Sequence, residues 1–441
     1  MTRNLEYAAY PTLGEMLRFV IGALDLRARG EAADKKRLDR AAREGDFDAE
    51  TFDELVVALV ETSFAKEGDP EFGHFVADFI RCQRPHYAKL LGAVSVDALT
   101  REQLMPLLLE GYVPRVVADF LIKARDEGFI PLPELLLAEP LSFDANRLRV
   151  SPLRVVLEEY LWHKGKGEPD VFAALCQGRA AETDRQRDKV RDWRDGSHVP
   201  DMRQLLLAVS NQKTATGDLS NSERRRAQRL NRALRVARAL EYGLARLEDP
   251  RAFAAAVQRL LPQDAPIFDI GALIQDEIVR QAQAWEGLSE LGLNTFERLG
   301  FDVSLGSADI ECAAELLLMF ERQATAAQAP WATEWMVRWC RARLAIWQGR
   351  WEEGLTLYDL AFRAALYRAG PASGRLLREA LAVAGRMRKK AHINRYVEQS
   401  NALGLWSPVL RGVPITTNDG ELLSSILVTS YLPYLPAMSA R

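Results

Sequence analysis

Residues 345–367 read AIWQGRWEEGLTLYDLAFRAALY. Gly349, Gly354 and Ala361 are small residues at spacings that let two antiparallel helices approach closely. Trp351 and Tyr358 are large enough to fill the space that remains. One such pair cannot bury its own apolar face, so flanking helical pairs are expected on either side. Segments of the right length are present, Ile310–Ala324 with Trp331–Trp347 and Gly374–Arg388 with Ile393–Leu403. Trp331, Trp335, Trp339, Trp347 and Trp351 recur at helical spacing, which favours helix–helix core over a ligand cage.

The offsets of Gly349, Trp351, Gly354, Tyr358 and Ala361 resemble the tetratricopeptide repeat. The resemblance implies a stacked α-solenoid over 250–441, with a concave surface that takes a protein or peptide partner or serves dimerisation. Working outward, most of the chain keeps the helical period, as in Phe253, Val257 and Leu260, or Met336, Trp339 and Trp347. Three short segments (147–150, 413–417 and 425–431) read as extended, but they do not build a sheet. The expected class is all-α. Residues 403–441 show no clean helical period and are expected to pack back on the array or to form a partner-binding tail.

Punctuation divides the rest. Four prolines between Ile130 and Pro152 mark a connector, and residues 210–222 read as a polar loop. The expected layout is an N-terminal helical domain (1–130), a middle domain (150–210), a basic linking helix (222–248) and the array (250–441). Within the first, residues 30–62 fit either a degenerate copy of the middle domain or a simple αα-hairpin.

The middle domain turns on residues 188–209, DKVRDWRDGSHVPDMRQLLLAV. Val190 and Trp193, three apart, face one core. Gly196 stands where a helix must stop, and Pro200 opens the next helix at its first turn. Met202, Leu205, Leu206 and Val209 form the buried stripe of that helix, and Thr183 with Gln186 makes a capping box upstream. The apolar–x–x–Trp–x–x–Gly–x–x–x–Pro spacing resembles the XRE/Cro-type helix-turn-helix family over about 60 of the 441 residues. That resemblance implies base contacts at Arg187, Asp188, Lys189 and Asp192, flanked by Arg185 and Arg191. Arginine and lysine suit guanine or phosphate, whereas aspartate accepts only from cytosine N4. The same charges can instead pair along the helix as a solvated face. The family's heads usually sit at the extreme N-terminus, and here about 150 residues precede the segment.

Charge bears on the same question. The chain carries 58 Lys and Arg, 61 Asp and Glu, and a net charge of −3. Between Arg179 and Arg238, 15 cations stand against 8 anions, so that window is +7 and the remainder −10. Much of the excess lies in residues 223–240, ERRRAQRLNRALRVARAL, where Arg224, Arg225, Arg226 and Arg229 lead a run that continues through Arg232, Arg235 and Arg238. Two readings fit this helix: phosphate contact, which positions a protein on DNA without reading sequence, or packing on an acidic neighbour.

Catalytic patterns are lacking. None of the five histidines has a second histidine at i+3 or i+4, and Pro85 is expected to keep Cys82 and His86 off one helical face. There is no Walker loop, no GxGxxG and no GxSxG. The four cysteines (Cys82, Cys176, Cys312, Cys340) read as buried thiols, and the sequence offers no secretory leader and no apolar run of membrane length. The expectation is a cytoplasmic, non-enzymatic, cofactor-free regulator that binds double-stranded DNA and holds an effector or partner on its array. The competing expectation is a protein-interaction adaptor within a larger assembly.

Overall fold

The computed structural model describes residues 8–26, 32–44, 49–130, 152–157, 192, 221–261, 270–282, 285–328, 330–405, 417–432 and 434. Among these every regular element is helical, and the fold is all-α. The first helices are α1 (Leu13–Ala23), α2 (Ala32–Glu44), α3 (Ala49–Val56), α4 (Thr62–Lys66), α5 (Pro70–Ala93), α6 (Arg101–Leu107) and α7 (Val113–Asp126). They are followed by α8 (Pro152–Leu157), α9 (Asn221–Leu244), α10 (Pro250–Leu260) and α11 (Ile270–Ala282). The array comprises α12 (Glu286–Arg298), α13 (Ser307–Ala326), α14 (Pro330–Trp347), α15 (Trp351–Ala365), α16 (Pro371–Arg386), α17 (Lys390–Leu403) and α18 (Thr417–Tyr431).

Local chemistry explains the boundaries. Thr12 and Thr100 cap α1 and α6 in reciprocal boxes with Glu15 and Gln103. Pro70, Pro250, Pro330 and Pro371 open their helices at the first position, where the missing N–H costs nothing. Gly349, with φ +75°, makes the turn between α14 and α15; a Cβ there would meet nothing within 4 Å. It is therefore a turn glycine and not, as its spacing suggested, a packing glycine. Gly354 is the packing glycine, since a Cβ would lie 2.5 Å from Ile346 Cδ1.

From α12 to α17 each helix packs on the next, and α18 lies back across α16 and α17. Residues 425–431, which read as extended, thus belong to a helix. Among its described side chains Gly420, Ser424 and Leu427 are buried. Two of these three are small and not apolar, so the contact leaves no hydrophobic period. A second correction concerns Pro85. Helix α5 runs through it, and Cys82 and His86 share that helix, both exposed to solvent. Among the described residues no group of three or more His, Cys, Asp or Glu could hold a metal ion. A third concerns the thiols: Cys340 is buried, but Cys82 and Cys312 are exposed, while Cys176 lies outside the described residues. No described helix is long and apolar enough to cross a membrane.

The buried apolar residues form one contiguous cluster from Ala8 to Leu432, so segments far apart in sequence share a core. Residues 366–370, between α15 and α16, hold the N-terminal helices to the array. Arg368 Nη1 donates to the carbonyls of Val96 and Leu99 at 2.9 Å each, and its own carbonyl accepts from Val96 N at 2.9 Å. Gly370, at φ +52°, lies so close to the 94–95 backbone that a Cβ would sit 2.5 Å from Ser95 N.

A buried ion pair ties the array itself. Arg343 (1% exposed) meets Glu379 (2%) through two hydrogen bonds, from Nη2 to Oε1 and from Nε to Oε2 at 3.0 Å. Trp339 Nε1 and Tyr358 OH donate to the same Oε2 at 2.7 and 3.1 Å, and Arg343 Nη1 donates to the Phe296 carbonyl at 2.7 Å. Burial lowers the guanidinium pKa, but Glu379 more than offsets this and the net shift is upward. Glu379→Ala should destabilise the protein by about 3–5 kcal/mol, because it leaves a buried cation uncompensated. Replacing the pair with Arg343→Met and Glu379→Leu together should cost less than the single change. Urea-denaturation midpoints of the two variants test this ordering.

Candidate nucleic-acid interface and array cleft

Of the residues expected to meet DNA, Arg185, Arg187, Asp188, Lys189 and Arg191 lie outside the described residues. Asp192 is helical and half-buried. Arg224, Arg225, Arg226 and Arg229 fall in the N-terminal half of α9, with Arg225 and Arg229 exposed.

The other half of α9 is different. Arg232, Arg235 and Arg238 are three apart and all buried. Arg232 grips Asp69 with both arms of its fork, Nε to Oδ2 at 2.8 Å and Nη2 to Oδ1 at 2.6 Å, and reaches Glu71 at 3.1 Å. Its guanidinium lies over the Phe129 ring, 4.7 Å from the centroid. Burial lowers its pKa, and the two acids outweigh that, so it titrates above the ordinary arginine range. Arg235 binds Glu67 and donates to the Leu24 carbonyl at 2.9 Å, with Phe64 beneath it. Arg238 donates to the Gly22 and Ala23 carbonyls at the C-terminal end of α1, where a cation also complements the helix dipole. Packing on an acidic neighbour is therefore what this half of the helix does, and the phosphate reading does not extend to Arg238. The sequence signal for it was the acidic turn Glu67–Asp69–Glu71, each acid two residues from the next around the start of α5.

On the array side, residues 93–98, α11, α12 and α14 enclose a cleft of about 900 Å³. Glu290, Leu293, Asn294 and Glu297 line it at the i, i+3, i+4, i+7 spacing of one helical face and are all exposed. Ile278, Phe320 and Met336 supply apolar wall. Asp97, Glu290 and Glu297 are its charged residues, and no lysine or arginine lines it. Asp97 is held in place: Oδ2 accepts from Ser95 OH at 2.6 Å and Oδ1 from Trp335 Nε1 at 2.9 Å. Burial pushes the Asp97 carboxyl up to about 6, against the opposing pull of Ser95, the Arg368 charge and Trp335. Burial lowers Arg368 to about 10. Sequence inspection missed Asp97, because it lies in a loop and Trp335, which fixes its other oxygen, is 238 positions away. Elsewhere, burial pushes the Cys340 thiol up to about 12, so it is protonated at neutral pH.

No protein-family model, curated protein or solved structure matches the chain.

Since the folded pKa of Asp97 lies above its unfolded value of 3.8, the folded state holds the extra proton between the two values. Its contribution to stability is therefore greatest below about pH 4, declines towards pH 6 and is flat beyond. Asp97→Asn removes this dependence. The urea midpoint of the variant should gain on the wild type as pH rises from about 4 to 7, and a pH-independent difference would contradict the assignment.

Proposed function

We propose that the protein is a DNA-binding regulator. Its middle segment (150–210) and the N-terminal half of α9 meet the duplex, and its helical array holds a protein or peptide effector. The observation that carries this reading is the division of α9. Three arginines lock one half onto α1 and the start of α5, and Arg225 and Arg229 on the other half remain exposed. A cationic helix anchored at one end presents its charges in a fixed position, which suits phosphate contact. It also follows, about ten residues on, the segment that resembles a helix-turn-helix. The cleft of about 900 Å³, concave and mixed in lining, suits the effector.

The adaptor reading has its own support. The same arginines that raise the local charge are partly used inside the protein, and the cleft carries carboxylates without cations. Fluorescence anisotropy with duplex DNA at a series of salt concentrations separates the two. A regulator should bind with a steep salt dependence. Arg225→Ala with Arg229→Ala should reduce the slope of log K against log salt by about 2, one for each lost phosphate contact. Arg187→Ala with Lys189→Ala should weaken binding further and relax sequence preference. Absence of salt-dependent binding would leave the adaptor reading.

A further inference from the structure

A second cavity, of about 220 Å³, lies between α1, α5, α7 and α9. Its lining is apolar almost throughout, including Phe19, Ile80, Val117, Phe120 and Leu240. It is elongated: the lining residues on α5 run from Val76 to Arg84, about 12 Å at 1.5 Å per residue. Phe19, on its edge, is 44% exposed, so the cavity reaches solvent. Close-packed cores leave few voids of this size, and an apolar cavity of about 150 Å³ is already enough to hold a small hydrocarbon ring.

Arg84 is the one charged side chain in the lining. Arginines nearby on α5 and α7 have acids: Arg81 pairs with Glu61 and Asp78, Arg115 with Asp119 and Arg125 with Asp126. Arg84 has no carboxylate partner among the described residues. Its hydrogen bonding is limited to Nη1 donating to the Asn401 carbonyl at a long 3.4 Å, and its buried Nε donates to nothing. A half-buried guanidinium with an unpaired donor beside an apolar channel is complemented by an anion, which would also supply the charge-assisted pairing that Arg84 lacks.

We propose that this cavity binds an unbranched aliphatic carboxylate, with the chain along α5 between α1 and α7 and the carboxylate on the Arg84 guanidinium. The shape selects a slender chain, since the walls on all four helices are aliphatic or aromatic side chains. The charge selects the head, because a carboxylate restores to Arg84 the pairing its neighbours have.

The probe is decanoate, titrated calorimetrically into the full-length protein below its micelle concentration, with decylammonium as the cationic comparator. Decanoate should bind at one site per chain, ten- to a hundredfold more tightly than decylammonium, the range expected of charge-assisted hydrogen bonds. Arg84→Gln should abolish that preference. Ala239→Phe, on the α9 wall, should fill the channel and remove binding of both, and Val117→Phe on α7 serves the same purpose should the first variant fail to fold. Circular dichroism confirms that each variant is folded. No binding to the wild type, a preference that survives Arg84→Gln, or binding that survives a folded channel-filling variant would each overturn the proposal.

Discussion

Both carboxylate oxygens of Glu379 lie inside the array, and between them they accept four hydrogen bonds, from Arg343, Trp339 and Tyr358. Glu379 belongs to α16, Arg343 and Trp339 to α14 and Tyr358 to α15. Through Arg343 Nη1 the cluster also takes the carbonyl of Phe296, in α12. A stack of helices faced with leucine, alanine and tryptophan tolerates sliding, because one apolar surface replaces another. A carboxylate satisfied from two neighbouring helices does not. Any displacement of α16 along its neighbours leaves two charges unpaired in apolar surroundings, at a cost far above that of an imperfect apolar contact. The concave surface depends on this constraint, since α12 and α14 line the cleft and are both held by Arg343.

The same chemistry recurs where the array meets the 94–99 loop and where α9 meets α1 and α5. Arg368 fastens the 94–99 loop through backbone carbonyls, and Arg232, Arg235 and Arg238 fasten α9 through carbonyls and acids. Arginine suits both, because a planar fork can satisfy a carbonyl and a carboxylate at once and its apolar faces lie against aromatic rings. This alters the meaning of the basic window. Three of its cations neutralise Glu67, Asp69 and Asp25 or cap α1, so the +7 between Arg179 and Arg238 falls to +4 when those three are set aside. Local charge read along a sequence counts every cation as available. The fold withdraws those with buried partners.

What could be read from sequence divides along physical lines. The helical pairs of the array were legible because they rest on local rules: a close-approach glycine at 354 and large apolar residues at period 3.6. Helix α18 was not, because Gly420 and Ser424 pack by close approach, which leaves no apolar residue at those positions to mark the face. Pro85 misled because a proline inside a helix usually breaks it, yet Pro85 lies on the exposed side of α5, where water can serve the carbonyl of Arg81 that loses its partner. Arg343 with Glu379, and Asp97 with Trp335, were invisible for another reason. Each residue is an ordinary charged position in its own helix or loop, and only the fold brings it to its partner. The exposed candidate DNA residues, Arg225 and Arg229, were legible as charge but not as a site, since nothing local distinguishes them from Arg232.

Helix α5 gives these separate features a common frame. It is 24 residues long, about 36 Å, and continuous through Pro85. At its N-terminal end Asp69 both caps the helix and receives Arg232 from α9. Along its length it packs on α16 and α17 and forms one wall of the second cavity. At its C-terminal end Ala93 leads into the loop that lines the array cleft and is fixed by Arg368. A helix of this length, held at both ends by arginine, moves as a unit or not at all. The basic helix, the apolar cavity and the acidic cleft are therefore positioned by one rigid element, and a displacement at any one of them must either bend α5 or break an arginine contact at its end.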